Sequence, residues 1–349
     1  MINLSGKPQV MKKVNSGLIK QVIKEKGSAT NAEIVEDTGI STTTVRTLLS
    51  QLILDQEIVN LGLGESSGGR RAERYALNLN NNLSLSFYIK DKSINYALSD
   101  ALGDIIENKS IKFEKKEYQE ALTVFIDEMV VKYTIKVIGI GVSGVVDRGK
   151  YFSGKQLNDW KKINASEYIE EKYNIPVVLE NDLNAMALGF SLNYIKEIEN
   201  LNIKSLNVVY INFTEEGVGA GIIANGQLIR GENNFAGELG FMPISKRGHL
   251  EYLLSNNPDN KEYIEIVSQV ITILNCIINP AFIVIGGSTL RTNLVDQIKE
   301  ACNTYAANNI ISKIMLSEDG AKDYLRGISY LTTEAMNSDI KLVKGGTEI

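Results

Sequence analysis

The sequence has very few of the residues that make disulfides and metal clusters. Among 349 residues there are two cysteines, Cys276 and Cys302, and one histidine, His249. Two cysteines exclude a disulfide framework, and one histidine with two cysteines cannot supply four zinc ligands within one chain. We therefore expect no metal site. His249 is predicted to be a surface or helix-start residue rather than a metal ligand.

Long apolar runs are also missing. No uninterrupted apolar segment approaches the roughly 20 residues needed to cross a bilayer, and the opening MINLSGKPQVMKKVN lacks the apolar core of a signal peptide. With 44% hydrophobic and 23% charged residues, the composition is that of a globular protein and excludes disorder as the main state. We expect a soluble cytoplasmic protein with no membrane partner.

The net charge of −5 does not by itself favour nucleic-acid binding. The charge is unevenly distributed, however. Residues 1–80 hold 10 Lys and Arg against 8 Asp and Glu, whereas the remainder holds 27 against 34. A mildly basic first part and an acidic second part predict two regions that bind different partners.

The first 80 residues have the pattern of a helix-turn-helix. Apolar residues at helical spacing predict a helix over 15–26 that ends at Gly27. A second helix is predicted after Thr30 and is broken by Gly39, and Ser41 is a suitable N-cap for a third helix that continues to residue 56. Two helices joined by a tight turn with glycine are typical of DNA-binding domains.

The third helix is predicted to have one buried and one exposed face. Its apolar face comprises Val45, Leu48, Leu49, Leu52 and Ile53. The outward residues are predicted to be Thr42, Thr43, Arg46, Thr47 and Ser50. Short hydroxyls and one arginine suit a DNA major groove, because hydroxyls contact phosphates or base edges and arginine binds guanine at two atoms. The candidate DNA contacts on this helix are Ser41, Thr42, Thr43, Arg46 and Thr47.

Two strand-like runs follow, Ile58–Leu63 and Tyr75–Leu79, around a Ser/Gly tip that ends in Arg70 and Arg71. This arrangement predicts a wing whose paired arginines reach phosphates or a narrow minor groove. A three-helix unit with a hairpin can also be a protein-interaction module. The turn, the outward polar residues and the basic wing occur together, which favours DNA binding.

After residue 80, strand and helix signals alternate, which predicts an α/β architecture in two lobes. The chain also resembles a known family, the ROK family (repressors, open reading frames, kinases), with its xylose-repressor branch nearest. The SSGGRR wing carries this resemblance, and five later blocks are similar in the same order. They are GVSGVVD (142–148), VVLENDLNAMALG (177–189), EEGVGAGIIANGQLIRG (215–231), AGELG (236–240) and NPAFIVIGGS (279–288).

The resemblance implies a winged helix-turn-helix over residues 1–80 and, over residues 81–349, a sugar-kinase domain of the actin and hexokinase type. Two lobes of that domain close over a sugar. The implied sugar ligands are Gln156, Asn181, Asp182, Glu238, Phe241 and Glu251. Carboxylates and amides suit this task because they pair with vicinal hydroxyls. Asp182 matches the catalytic base of the family's kinases, Gln156 replaces an asparagine, and Phe241 replaces a histidine.

The phosphate-binding side of a kinase is not matched. In the kinases that the chain resembles, the first strand of the lobe ends in an Asp-x-Gly-Gly-Thr loop, whereas here a Lys-Asp-Lys turn is predicted and no glycine lies between Gly69 and Gly103. Glu215 and Glu216 stand beside the second glycine-rich segment, where they would repel a polyphosphate. We therefore predict no enzymatic activity, no catalytic residue and no cofactor. The family's cysteine-rich zinc loop is also missing.

The sequence favours a sugar-responsive transcriptional regulator, most simply a repressor. Its expected partners are double-stranded operator DNA, a sugar or sugar-derivative effector, and a second copy of the chain in a homodimer or higher homo-oligomer. Two alternatives remain open. One is an ATP-dependent sugar kinase with an added DNA-binding domain, and the other is a regulator that has lost its sugar ligand.

Overall fold

A computed structural model describes residues 8–63, 71–113, 118–147, 150–153, 161–163, 165–198, 202–305 and 311–337. The first elements are α1 (Pro8–Lys26), β1 (Ala29–Thr30), α2 (Asn31–Thr38), α3 (Thr42–Leu54), β2 (Ile58–Leu63) and β3 (Glu73–Leu77). They are followed by β4 (Leu83–Lys90), β5 (Ser93–Ser99), β6 (Ile105–Lys112), α4 (Tyr118–Lys132), β7 (Ile135–Val142), β8 (Val145–Asp147), β9 (Lys150–Ser153), β10 (Lys161–Ile163) and α5 (Ala165–Tyr173).

The second half begins with β11 (Val177–Asn181) and α6 (Asp182–Lys196). It continues with β12 (Val208–Thr214), β13 (Gly217–Ala224), β14 (Gln227–Leu228), β15 (Pro243–Ser245), β16 (Gly248–His249), α7 (Leu250–Ser255), α8 (Asn260–Ile278), β17 (Phe282–Gly286), α9 (Val295–Cys302), β18 (Lys313–Leu316) and α10 (Gly320–Asn337). The chain divides into two compact units. The first lies within residues 1–139, 173–178 and 329–349, and the second within 140–172 and 179–328.

Local signals set the ends of the first helices. Thr30 and Glu33 form a capping box, in which each side chain accepts a hydrogen bond from the other residue's backbone N–H. Gly39 ends α2 in the left-handed conformation at φ +69°, and the Ser41 hydroxyl caps α3 by accepting from the Thr44 N–H at 3.3 Å. The predicted second and third helices are confirmed. The first begins at Pro8, seven residues before its predicted start.

Three helices and the β1-β3-β2 sheet enclose a small apolar core within the first unit. Its buried members include Ile19, Ile23, Ile34, Val45, Leu48, Leu49, Leu52 and Ile58, and Ala101 and Met336 join them from outside the first 80 residues. Ile53, predicted to be on the buried face of α3, is 36% exposed. It lies in the last turn at the margin of the apolar stripe, where the core no longer covers it. The domain boundary at residue 80 stays a prediction.

The first unit also contains most of a five-stranded sheet of order β11-β7-β4-β5-β6. The β4–β5 hairpin turns at Asp91 and Lys92, which have φ values of +49° and +57°. The predicted Lys-Asp-Lys turn is therefore confirmed as a two-residue hairpin turn. The last part of α10 packs on this sheet, where the Ser84 and Ser86 hydroxyls bond the hydroxyls of Thr333 and Thr332, each at 3.0 Å.

The second unit is built on a sheet of order β14-β13-β12-β17-β18. The β12–β17 and β17–β18 pairs are parallel, and the β12–β13 pair is an antiparallel hairpin. The apolar face of α8 covers part of the core, whose fully buried members include Val209, Ile211, Ile271, Ile283 and Ile285. Helix α6 packs on β13 so closely that a Cβ on Gly221 would overlap the Leu183 carbonyl oxygen. The sheet thereby places the start of α6 beside the β12–β13 hairpin.

Candidate functional site

The outward face of α3 presents the residues expected to contact DNA. The exposed residues are Ser41, Thr42, Thr43, Arg46, Thr47 and Ser50. The Thr47 hydroxyl donates to the Thr43 carbonyl at 3.0 Å, so its proton is used within the helix and its oxygen is left as an acceptor. Among the described residues, no hydrogen bond or ion pair involves the Arg46 guanidinium, although the Arg46 backbone carbonyl accepts from the Ser50 hydroxyl at 3.1 Å. Its guanidinium is therefore available for an external acceptor.

The wing is the β2–β3 hairpin, and a bulge between Asn60 and Gly62 twists it. Arg71 is exposed and lies two residues before β3, whereas Arg70 lies outside the described residues. Arg74, which the sequence did not single out, anchors the wing. Its guanidinium donates to the Ser28 carbonyl at 2.7 Å and pairs with Glu33 at 3.4 Å. No sequence pattern points to this contact, because Ser28 and Arg74 are 46 residues apart.

Neighbouring residues Asn181 and Asp182 have different roles. The Asn181 side-chain oxygen caps α6 by accepting from the N–H groups of Leu183 at 2.9 Å and Asn184 at 3.1 Å. Its amide nitrogen donates to the Gly144 carbonyl at 3.0 Å. The amide group is thus engaged at both ends within the protein. The Asp182 carboxylate instead accepts a hydrogen bond of 2.7 Å from the Ser143 hydroxyl.

Four carboxylates lie near each other in the second unit. Burial raises the pKa of Asp182 above its ordinary value, and the charge of Glu216 raises it further, although the Ser143 hydrogen bond opposes both. Burial likewise raises the pKa of Glu238, and the charges of Asp182 and Glu251 add to the shift. The charges of Asp182 and Glu251 therefore lie near Glu238, and sugar binding by these residues stays a prediction. Gln156 lies outside the described residues.

Glycines make room for these carboxylates. A Cβ on Gly240 would lie 2.5 Å from the Glu251 carboxylate oxygen, and one on Gly217 would lie 3.1 Å from it. A Cβ on Gly219 would lie 2.5 Å from a methyl carbon of Leu183. Glycines are therefore required in β13, because α6 and Glu251 pack closely against this strand. A phosphate is not needed to account for these glycines.

An ion pair and a buried amide support the start of α6. The buried Glu180 carboxylate is paired with the Arg230 guanidinium and accepts from the Asn184 side chain at 2.9 Å and the Asn181 N–H at 3.1 Å. Glu180, Arg230 and Asn184 line a small pocket with Asn181 and Glu238. The sequence analysis missed Glu180 and Arg230. They are 50 residues apart, so only the fold brings them together.

Phe241 belongs to a group of rings beside Glu238 and Glu251. Its ring centroid is 5.4 Å from that of Phe235 and 6.4 Å from that of His249. His249 is the N-cap of α7. Its Nδ1 lies 2.9 Å from the Gly240 carbonyl oxygen and 3.3 Å from the Tyr252 backbone nitrogen, so it donates to the former in one tautomer and accepts from the latter in the other. Among the described residues, no group of three or more His, Cys, Asp or Glu side chains is arranged to hold a metal ion. No described helix combines the length and apolarity needed to span a membrane.

Comparison with known proteins agrees with this fold. Residues 90–252 match the model of the ROK family. The xylose repressor of Bacillus subtilis strain 168 is 30% identical over 246 residues, which cover 68% of this chain and 62% of that protein. The DNA-binding transcriptional dual regulator NagC of Escherichia coli K12 is 24% identical over 259 residues, which cover 70% of this chain and 61% of that protein. The chain thus spans about three fifths of these curated relatives.

Solved structures show the same architecture. A ROK family transcriptional regulator described as a homologue of E. coli MLC superposes with a TM-score of 0.68 at 17% identity, covering 94% of this chain and 98% of that one. A ROK family protein of Streptococcus pneumoniae TIGR4 in complex with sucrose gives a TM-score of 0.58 at 20% identity, covering 72% of this chain and 98% of that one. The expected fold, a winged helix-turn-helix followed by a kinase-like α/β domain, is confirmed. Residues 90–252 of this chain form a ROK family domain.

Proposed function

We propose that the chain is a sequence-specific transcriptional repressor whose affinity for operator DNA is changed by a sugar or sugar derivative. The proposal rests on two features of the same chain. One is the exposed face of α3 with its unpaired Arg46 side chain, and the other is a separate cluster of partly buried carboxylates. The xylose repressor and NagC have the corresponding activities by name.

The proposed DNA contacts follow from the geometry of α3 and the wing. Thr42, Thr43 and Arg46 lie on the exposed N-terminal half of α3, which in helix-turn-helix proteins contacts base edges in the major groove. Arg71 on the wing would contact phosphate or the minor groove. Two copies of the chain would bind a pseudo-palindromic operator whose half-sites are one or two helical turns apart.

The proposed effector contacts are the carboxylates of Asp182, Glu238 and Glu251. Each can accept hydrogen bonds from two neighbouring hydroxyls of a sugar, and a partly buried site penalises a ligand that leaves these oxygens unpaired. Because Asn181 is engaged as a helix cap, it positions Asp182 rather than offering a free amide. Phe241 would pack against the ligand.

Two hairpins stand where a kinase has its phosphate-binding loops, and both argue against the kinase alternative. The β4–β5 turn at Asp91 and Lys92 contains no glycine, and its two residues are too few to form a loop that wraps a phosphate. The β12–β13 turn presents Glu215 and Glu216, which would repel a polyphosphate. We infer that the domain binds sugar without transferring phosphate to it.

Helices α6 and α10 form a continuous connection from the carboxylates to the DNA-binding domain. Asp182 is the first residue of α6, and α6 is in backbone contact with α10, because a Cβ on Gly189 or Gly327 would overlap the opposite backbone. At the other end of α10, Glu334 pairs with Lys24 of α1 at 2.9 Å. Met336 packs against the core of the DNA-binding domain. A ligand-induced shift of α6 would thereby change the support of α1.

The test is a reciprocal titration of operator and sugar. An operator is selected from a randomised DNA pool, and its affinity is measured by fluorescence anisotropy with and without each sugar of a panel. We expect one sugar class to weaken operator binding, and operator to weaken the binding of that sugar by the same factor, because the two effects are thermodynamically linked. Identical sugar affinities with and without operator would refute the proposal. ATP-dependent phosphorylation of a sugar that is lost in Asp182→Asn would favour the kinase instead.

A further inference from the structure

A row of aromatic rings extends from the carboxylate cluster to the protein surface. It consists of Phe235, Phe241, His249 and Tyr252. Successive ring centroids are 5.4, 6.4 and 6.2 Å apart. Phe235 is 40% exposed and Tyr252 is 51% exposed, so both ends of the row have ring surface in contact with solvent.

The row is continuous with the proposed sugar ligands in the chain. Phe241 follows Glu238 by three residues, and its N–H donates to the Glu238 carbonyl at 3.3 Å. Tyr252 directly follows Glu251 in α7. The polar groups that would hold hydroxyls and the apolar ring faces are therefore carried on the same short segments.

The backbone holds the row in position. The His249 Nδ1 lies within hydrogen-bond distance of both the Gly240 carbonyl oxygen and the Tyr252 N–H, and the Leu250 N–H donates to the Met242 carbonyl at 2.8 Å. Gly248, at φ +151°, lies under the Tyr252 ring, since a Cβ there would be 2.7 Å from a ring carbon. These contacts fix the segment that carries Phe241 against α7. The rings thus form a preorganised surface rather than a set of loose side chains.

We propose that this row is a subsite for a second sugar ring, so that the effector is a disaccharide rather than a free monosaccharide. One face of a pyranose presents mainly C–H groups, and such a face packs on aromatic rings while its hydroxyls remain in water or on polar neighbours. The first ring would bind the carboxylates of Asp182, Glu238 and Glu251, and the second would lie on the neighbouring rings of Phe235 and Phe241, whose centroids are 5.4 Å apart. This inference rests on the proposed function, because it assumes that the carboxylates bind a sugar.

The test compares one- and two-ring ligands. Isothermal titration of the full chain is carried out with the common aldopentoses, aldohexoses and N-acetylhexosamines, and with disaccharides built from them. We expect a disaccharide to bind about tenfold more tightly than the best monosaccharide, a ratio that one or two aromatic contacts supply. In Phe235→Ala the ratio should fall to about one, whereas Tyr252→Ala, at the opposite end of the row, should keep it. Tyr305→Ala is the matched control, because Tyr305 is 49% exposed and outside the row, and it should keep the ratio.

The outcomes separate this inference from the proposed function. If monosaccharides bind and disaccharides bind no more tightly, the subsite is refuted while the sugar-binding function stands. If no sugar binds, the proposed effector fails and the subsite with it. If sedimentation shows that Phe235→Ala and Tyr252→Ala dissociate an oligomer and leave the affinity ratio unchanged, the row is an interface between copies of the chain and the subsite is refuted.

Discussion

Replacing Arg46 with alanine tests whether α3 reads DNA sequence. Arg46 lies on the exposed face of α3, and within the described residues its side chain makes no hydrogen bond or ion pair. The substitution should therefore change the free energy of unfolding by no more than about 0.5 kcal/mol. An arginine bound to guanine O6 and N7 contributes about 1–3 kcal/mol of discrimination, so Arg46→Ala should lose about 5- to 150-fold in affinity for the selected operator.

The assay is fluorescence anisotropy with the selected operator and with operators substituted at one base pair at a time. In Arg46→Ala, the substitution at the base pair that Arg46 reads should no longer cost affinity, while substitutions elsewhere keep their cost. Thermal unfolding serves as the control for the fold. Arg71→Ala is the comparison, because a phosphate contact has no base preference. It should weaken binding to every sequence alike and reduce the slope of log affinity against log salt by about one.

Two results would refute this reasoning. A uniform loss of affinity on all sequences, with a smaller salt slope, would show that Arg46 contacts phosphate. An unchanged affinity and unchanged discrimination would show that α3 is not the recognition helix. Either result would move base recognition to the wing or to α1.

Three further predictions concern the effector site and its connection to DNA binding. Asn181→Ala removes the cap of α6 and should lower the free energy of unfolding by about 1 kcal/mol, measured by urea denaturation; an unchanged stability would contradict the cap assignment. Burial raises the pKa of Asp182 and Glu238, so the folded state binds protons more tightly than the unfolded state. The free energy of unfolding should therefore fall as pH rises from about 4 through the raised folded pKa values. Asp182→Asn should flatten this pH dependence and stabilise the protein near pH 7, and a steeper profile would contradict it. Lys24→Ala and Glu334→Ala should each change the free energy of unfolding by less than about 1 kcal/mol. Each should nevertheless reduce the factor by which sugar weakens operator binding. If both variants keep the wild-type factor, this ion pair takes no part in the coupling.

Elements that depend on neighbouring residues could be predicted from the sequence. The bounds of β2 agree with its predicted range, and the caps of α2 and α3 lie at Thr30 and Ser41 as expected. Capping, turn formation and apolar periodicity operate over a few residues, so the chain carries them without reference to the fold. The exposed polar face of α3 follows from the same periodicity.

The carboxylate site could be predicted only in part. The resemblance to the family pointed to Asp182, Glu238 and Glu251, and the charges of Asp182 and Glu251 lie close enough to raise the pKa of Glu238. It could not say which member of the Asn181–Asp182 pair would cap the helix. Either type of side chain can do so, and the choice depends on Gly144 and Ser143, which belong to a different part of the chain.

The sequence by itself determined the helix-turn-helix, the tight turn that replaces a phosphate loop, and the chemical types available to each site, because these depend on local backbone preferences and on composition. Only the tertiary structure decided which residues meet across long separations. The Glu180–Arg230 pair, the attachment of Arg74 to Ser28 and the contact of Glu334 with Lys24 join residues 50, 46 and 310 positions apart. Such contacts are set by the packing of whole elements, and packing is a property of the folded chain rather than of any segment.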